Sequence, residues 1–457
     1  MAVEEILAEV DRGLDASLER LFALLRIESI STDPAHNDAC RAAADWLAAD
    51  LCSMGFDAAR RDTTGHPMVV GHNPGAGPKY LFYGHYDVQP VDPLALWHRG
   101  PFDPAVEDTP KGRVIRARGA NDDKGQMMTF LEACRAWKAV TGALPANLSV
   151  LIEGEEESGS PSLVPFLTAH AEELRADLAL VCDTGMLDPE TPVITTMLRG
   201  MVGEDFTIHG PARDLHSGMY GGAAMNPIRV LTRLLGGLHD RDGRVTLPGF
   251  YDGVDPLPPA VKASWDALGF STEAFLGDVG LSHPAGETGF SLLEQIWARP
   301  TCEINGIWGG YTGAGFKTVL PAEASAKVSF RLVGRQDPQA IQQAFQTYIR
   351  AGLPPDCSVV FRSKDASPAT TMPVDAPVFE AARGALTEEW EKEAVFVGSG
   401  GSIPVVGHFA RHLDMKSLLI GFGLDDDGLH SPNEKYDLRS FHKGIRSWVR
   451  VLDRLQA

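Results

Sequence analysis

Cysteine is sparse and scattered. The six residues Cys40, Cys52, Cys134, Cys182, Cys302 and Cys357 form no Cys-x-x-Cys pair and no clustered framework. This excludes a disulfide-stapled scaffold and a thiolate zinc site, and it predicts buried thiols in a reducing compartment. Positive charge is also short: 41 Lys and Arg against 61 Asp and Glu give a net charge of −20. Such a surface repels phosphate backbones and anionic lipid, so neither nucleic acid nor a membrane surface is expected as a partner. No apolar run approaches the ~20 residues of a membrane span. The opening Met1-Ala-Val-Glu-Glu-Ile is acidic and amphipathic, the opposite of a signal peptide. The expected location is cytoplasmic. Two hydrolase signatures are missing as well, His-Glu-x-x-His and Gly-x-Ser-x-Gly. Gly310 to Thr318 approaches a phosphate loop, but Phe316 separates Gly315 from Lys317 and breaks it.

What remains is the composition of a globular protein, 44% hydrophobic and 22% charged. At 457 residues, two or three domains are expected. Apolar residues at helical spacing predict helices over 4–27 and 38–55. Strands are predicted at 80–83, 113–117, 148–153 and 177–182, with helices at 124–139 and 162–170 between them. This alternation predicts an α/β fold, a mostly parallel sheet flanked by helices. Beyond Thr195 the order becomes strand 200–209, helix 226–238, strands 302–307 and 323–332, helix 337–351 and strand 357–362. That βαββαβ order is the ferredoxin-like unit, with residues 240–300 as an elaboration inside it. The first style then returns, with helix 378–386, strand 417–420 and a closing helix over 438–455. The domains expected are 1–197 and 367–457 as two parts of one catalytic domain, and 198–366 as an inserted α+β domain.

Five polar clusters each follow a predicted strand: His85-Tyr-Asp87, Gly119-Ala-Asn-Asp-Asp-Lys-Gly125, Glu153-Gly-Glu-Glu-Glu-Ser-Gly-Ser160, Cys182-Asp-Thr184 and Gly428-Leu-His-Ser-Pro-Asn-Glu434. Taken singly, each reads as a helix cap, an acidic turn or a surface loop. Together they bring two histidines and several carboxylates to what reads as one sheet edge, where open α/β folds place ligands. Nitrogen and oxygen donors without thiolates suit zinc, manganese or cobalt. Carboxylates so crowded repel one another unless cations separate them, and two bridged metals would also generate a hydroxide at neutral pH.

These clusters, with Leu215-His-Ser-Gly218 and Gly400-Gly-Ser-Ile-Pro404, resemble the dizinc metallopeptidases related to carnosinase and cytosolic non-specific dipeptidase, in order from about residue 80 to 440. The resemblance implies two divalent ions, zinc foremost and manganese or cobalt as substitutes. His85 and Asp183 would hold one, Glu157 and His430 the other, and Asp122 would bridge them. Asp87 would orient His85, and Glu156 would be the general base beside a metal-bridging hydroxide. His216 would stabilise the oxyanion in the partner subunit's site of a homodimer, the inserted domain serving as lid and dimerisation element. Thr318, Arg331 and Ser402 would hold the substrate's terminal carboxylate. Asn121 departs from relatives, which more often carry Ser or Thr there. The expected activity is hydrolysis of dipeptides; an N-acyl-amino-acid deacylase on the same metals is the alternative.

Overall fold

The computed structural model describes every residue except Met1, Asp365, Pro373, Ser402 and Ala457, and describes Ala2 and Asp278 without their side chains. The chain forms two compact units, one of Met1–Thr196, Met372–Phe396 and His408–Ala457, the other of Met197–Thr371 and Val397–Gly407.

The first unit is built on a mixed sheet. Its four central strands, Asn147–Glu153, Lys79–His85, Leu178–Val181 and Ser417–Leu419, lie side by side and parallel. Met68–Asn73 and then Asp57–Arg61 extend one flank antiparallel, and Val193–Leu198 starts antiparallel on the other. The parallel strands read as continuous apolar runs because both faces are covered: Leu81, Phe82, Tyr83, Val150, Leu151 and Leu180 are fully buried. Phe82 stacks on Phe130 of helix Lys124–Thr141 at 3.8 Å, and Trp448 of helix Leu438–Leu455 meets both rings edge-on. Burying each such ring contributes about 1.5–3 kcal/mol.

A second sheet in this unit corrects the single-edge reading. Gly112–Arg116 pairs antiparallel with Ala105–Thr109 and with Lys435–Asp437, apart from the main sheet. Its pattern of two exposed residues, two buried and one half-buried suits a short hairpin strand, not a strand covered on both faces. Two of the five polar clusters, those around Asp122 and His430, therefore belong to this small sheet and not to the main sheet's rim.

The second unit contains a four-stranded antiparallel sheet in the spatial order Thr301–Gly309, Glu323–Leu332, Gly200–His209, Ser358–Ser363. With helices Pro227–Gly236 and Pro338–Ala351 this is the ferredoxin-like arrangement. Its core gathers Val202, Phe206, Leu231, Leu234, Phe330 and Phe345. Asn226 and Asp337 cap the two helices, each with Pro at the first helical position.

Candidate metal centre

Strand Lys79–His85 delivers His85, fully buried, to the rim of the main sheet. Its Nδ1 lies 3.1 Å from the Asp87 carbonyl oxygen. A proton donated there leaves the Nε2 lone pair free for a cation. That Nε2 is 3.2 Å from Asp122 Oδ1, yet it is buried with no hydrogen bond among the described residues. Asp87 does more than face the imidazole. Its carboxylate accepts the backbone N–H groups of Glu156 at 3.2 Å and Glu157 at 3.0 Å, tying the glutamate turn to the histidine strand.

The three consecutive glutamates have separate environments. Glu155 is buried and accepts the N–H groups of His66 and Ser162, both at 2.8 Å, which anchors the turn. Glu157 receives Gln89 Nε2 at 2.6 Å and approaches His430 Nε2 at 3.4 Å. The Glu156 carboxylate accepts no hydrogen bond among the described residues. Burial raises its pKa, with Asp122 and Asp87 adding to the effect and the imidazoles opposing it. A partly buried, unpaired carboxylate poised above its ordinary range is suited to carrying a proton.

Asp122 faces both histidines, with His430 Nε2 3.1 Å from its Oδ2. Burial works against its ionisation, but the two imidazoles overcome that and hold it below the usual carboxylate range. Asp123 turns the other way, and its Oδ2 accepts the His85 N–H at 3.0 Å. Asp183 follows strand Leu178–Val181. Its loop packs backbone to backbone on the loop after Ser417–Leu419, and glycine is required there. A Cβ at Gly421 would lie 1.9 Å from the Thr184 oxygen, and one at Gly423 2.7 Å from Asn121 Nδ2. His430 is more than half exposed and has φ +60, a left-handed conformation costing a non-glycine residue about 1–2 kcal/mol. The neighbouring Asn433 holds the loop by accepting the His98 N–H and donating to the Leu96 carbonyl, both at 2.8 Å.

Two donor groups result: His85, Asp122 and Asp183, and Asp122, Glu157 and His430. Within each, the donor atoms lie within 4.8 Å of one another, and Asp122 belongs to both. Divalent cations fit these residues. His85 Nε2 lacks a partner, and the donors are the N/O set of zinc, manganese or cobalt sites. Burial, then Asp122, pushes Glu157 up to about 8, and burial likewise raises Asp183 well above its ordinary value. Cations among these carboxylates would remove that penalty. A cavity of about 460 Å³ opens beside the cage between Asn121, Asp183, Thr184, Gly423 and Leu429. A larger one of about 870 Å³ near Leu187 and Leu438 contains none of the cage residues, and its Lys111 and Arg439 pair with Asp426 and Glu190. Donor chemistry, not size, selects the site.

The remaining expected residues lie in the second unit, apart from Ser402, which is outside the described residues. His216 is exposed and its Nδ1 accepts the Gly218 N–H at 3.0 Å, so a neutral ring presents an Nε2–H donor outward. Ser217 N–H donates to Thr318 O, placing the exposed Thr318 beside it. Arg331 is half-buried, and burial lowers its pKa. Arg199 is a basic residue the sequence reading passed over. Burial, then the charge of Arg331, brings it down to about 10, and its Nε donates to Gly400 O at 3.0 Å. Two neighbouring guanidinium groups favour an anion between them. A lone arginine preceding a strand carries no sequence signal for that. Asp123 and Glu155 sit within acidic runs, where spacing alone does not separate cation ligands from anchors.

The chain is similar to the Cys-Gly metallodipeptidase dug1 of Schizosaccharomyces pombe, 30% identical over 463 residues that span 98% of this chain and 97% of that protein. Its fold matches the dipeptidase Dug1p of Saccharomyces cerevisiae with TM-score 0.84 at 28% identity, covering 99% and 98% of the two chains. Human carnosine dipeptidase 1 superposes with TM-score 0.85 at 25% identity, over 100% of this chain and 99% of that one. The family model of peptidase family M20/M25/M40 matches residues 81–454, a span holding every cage residue, and the chain belongs to that family.

Proposed function

We propose that the chain is a dipeptidase that holds two zinc ions, one on His85 and Asp183, the other on Glu157 and His430, with Asp122 shared. The relatives named above are dipeptidases, and that of Schizosaccharomyces pombe is a metallodipeptidase. The observation that carries the reading is the pair of donor groups meeting at Asp122 beside the unpaired carboxylate of Glu156. Divalent cations bound there would polarise the scissile carbonyl and acidify water. Glu156 takes the proton of the attacking water and passes it to the leaving amine. Asp87 and Asp123 keep the glutamate turn, His85 and the Asp122 loop in register through backbone N–H groups. His216 offers an N–H to the developing oxyanion, and Arg331 with Thr318 and Ser402 grips the substrate's terminal carboxylate.

We place residues 198–366 as an inserted lid and dimerisation domain between catalytic segments 1–197 and 367–457. His216 would serve the partner subunit of a homodimer. Exposed Ile304, Ile307 and Trp308 on the edge strand Thr301–Gly309 support such an interface. The six cysteines are all unpaired, which supports a reducing, cytoplasmic setting. No described helix is long and apolar enough to cross a membrane. A deacylase of N-acyl amino acids would use the same cage, but the similar proteins of both yeasts and of human are dipeptidases. The test is a panel of dipeptides against N-acetyl and N-succinyl amino acids, each with zinc, manganese or cobalt. Turnover of dipeptides with free termini is expected; turnover confined to the acylated compounds would overturn the reading.

A further inference from the structure

Glu434 is fully buried, and its carboxylate spans two loops of the first unit. One oxygen, Oε2, accepts Arg118 Nη1 at 2.8 Å and the Gly119 N–H at 2.9 Å. The other, Oε1, accepts the Asn121 N–H at 3.0 Å and the Asp122 N–H at 3.1 Å. A single side chain therefore binds three backbone N–H groups of the 119–122 loop and a guanidinium that is itself buried. Glu434 lies four residues after His430, so it ties the backbone carrying one candidate ligand to the backbone carrying another. A second link runs alongside, with Asn121 Nδ2 donating to buried Asp427 at 2.6 Å.

A structural ion pair would need only one guanidinium and one carboxylate. The geometry here is more demanding: each oxygen has its own pair of donors, and one of them is the N–H of Asp122 itself. Removing a charge-assisted acceptor from buried N–H groups leaves them unsatisfied and frees the loop to move. We infer that Glu434 is a positioning residue of the metal centre, holding Asp122 at the distance from His85 and His430 at which one carboxylate serves both donor groups. The inference rests on the proposed role of Asp122 as the shared ligand.

Three substitutions separate the possibilities. Glu434→Asp keeps a charge for Arg118 but is one methylene too short to reach both donor pairs. Glu434→Gln puts an NH2 group against N–H donors on one side. Asp122→Asn tests the underlying reading. Metal-free proteins are titrated with Zn²⁺ by calorimetry and with Co²⁺ by visible absorption, and folding is checked by circular dichroism. Loss of an outer partner of a metal ligand lowers affinity about 10- to 100-fold. A loss in that range with an altered cobalt band is expected for Glu434→Asp, and for Glu434→Gln if it folds. Wild-type affinity and an unchanged cobalt band in folded Glu434→Asp would overturn the inference, leaving Glu434 as a counter-charge to Arg118. Unchanged metal binding in Asp122→Asn, or none in the wild type, would instead refute the reading of the cage.

Discussion

The two halves of the cage differ in how firmly the fold holds them. His85 stands at the end of a central parallel strand with a side chain 1% exposed, its backbone N–H bound to Asp123 and its ring to the Asp87 carbonyl. His430 comes from a loop that Asn433 ties to Leu96, is 55% exposed, and is in a left-handed conformation. Both reach the same carboxylate, Asp122. Burial favours preorganisation and water exclusion; exposure favours entry and exchange. A peptidase needs both, since a cation bound too deeply would be closed to the substrate. The His85 half is expected to be the tight site and the His430 half the exchangeable one.

Four experiments test that contrast, in decreasing order of magnitude. Glu156→Gln belongs to neither half. It is expected to lower kcat by about 10²–10⁴-fold, the range for a lost general acid–base, while atomic absorption finds the wild-type metal content. Metal loss would instead make Glu156 a ligand. Next, His85→Ala should weaken Zn²⁺ binding beyond the roughly 10- to 100-fold typical of outer partners, and His430→Ala should cost less. Equal losses by calorimetry would abolish the distinction between the halves. Third, chelation should lower the melting temperature. A site at 100 times its Kd contributes about 2.7 kcal/mol, and stepwise removal should release the His430-side ion first. Fourth, the metal-free protein should lose stability as pH rises. Glu157 has a folded pKa of about 8 against an ordinary 4.5, so between these values the folded state binds more protons than the unfolded one. That contribution is fully present below pH 4.5 and is lost by pH 8. Melting curves across this window should slope downward without metal and flatten with zinc; a slope unaffected by zinc would separate Glu157 from the cation.

Much of this was legible in the sequence. The apolar run 80–83 and the alternation of helices and strands predicted the central sheet, and the βαββαβ order predicted the second unit's topology. Flanking strands such as Asp57–Arg61 were not legible, because an exposed Asp-Ala-Ala-Arg-Arg run carries no strand signal; pairing with Met68–Asn73 makes it one. The small sheet was hidden because its hairpin, Ala105–Thr109 with Gly112–Arg116, is completed by a three-residue strand from the far end of the chain, Lys435–Asp437. Asp87 was expected to orient His85; in the structure its carbonyl oxygen lies against the ring Nδ1 and its carboxylate caps the glutamate turn, a contact with no sequence signal. Within Glu155-Glu156-Glu157, chemistry alone did not separate three identical side chains. Burial and partners do: one is anchored, one is unpaired and one faces His430.

The primary structure specified the donor chemistry: imidazole and carboxylate without thiolate, on short glycine-rich segments that follow strands. It did so because side-chain type sets which ions a site suits, whatever the fold. Which donors meet, which oxygen stays unpaired and which buried carboxylate ties two loops together follow from the folded arrangement. Strand register and glycine-permitted backbone contacts bring together residues as far apart as His85 and His430, and no local pattern encodes such a distance.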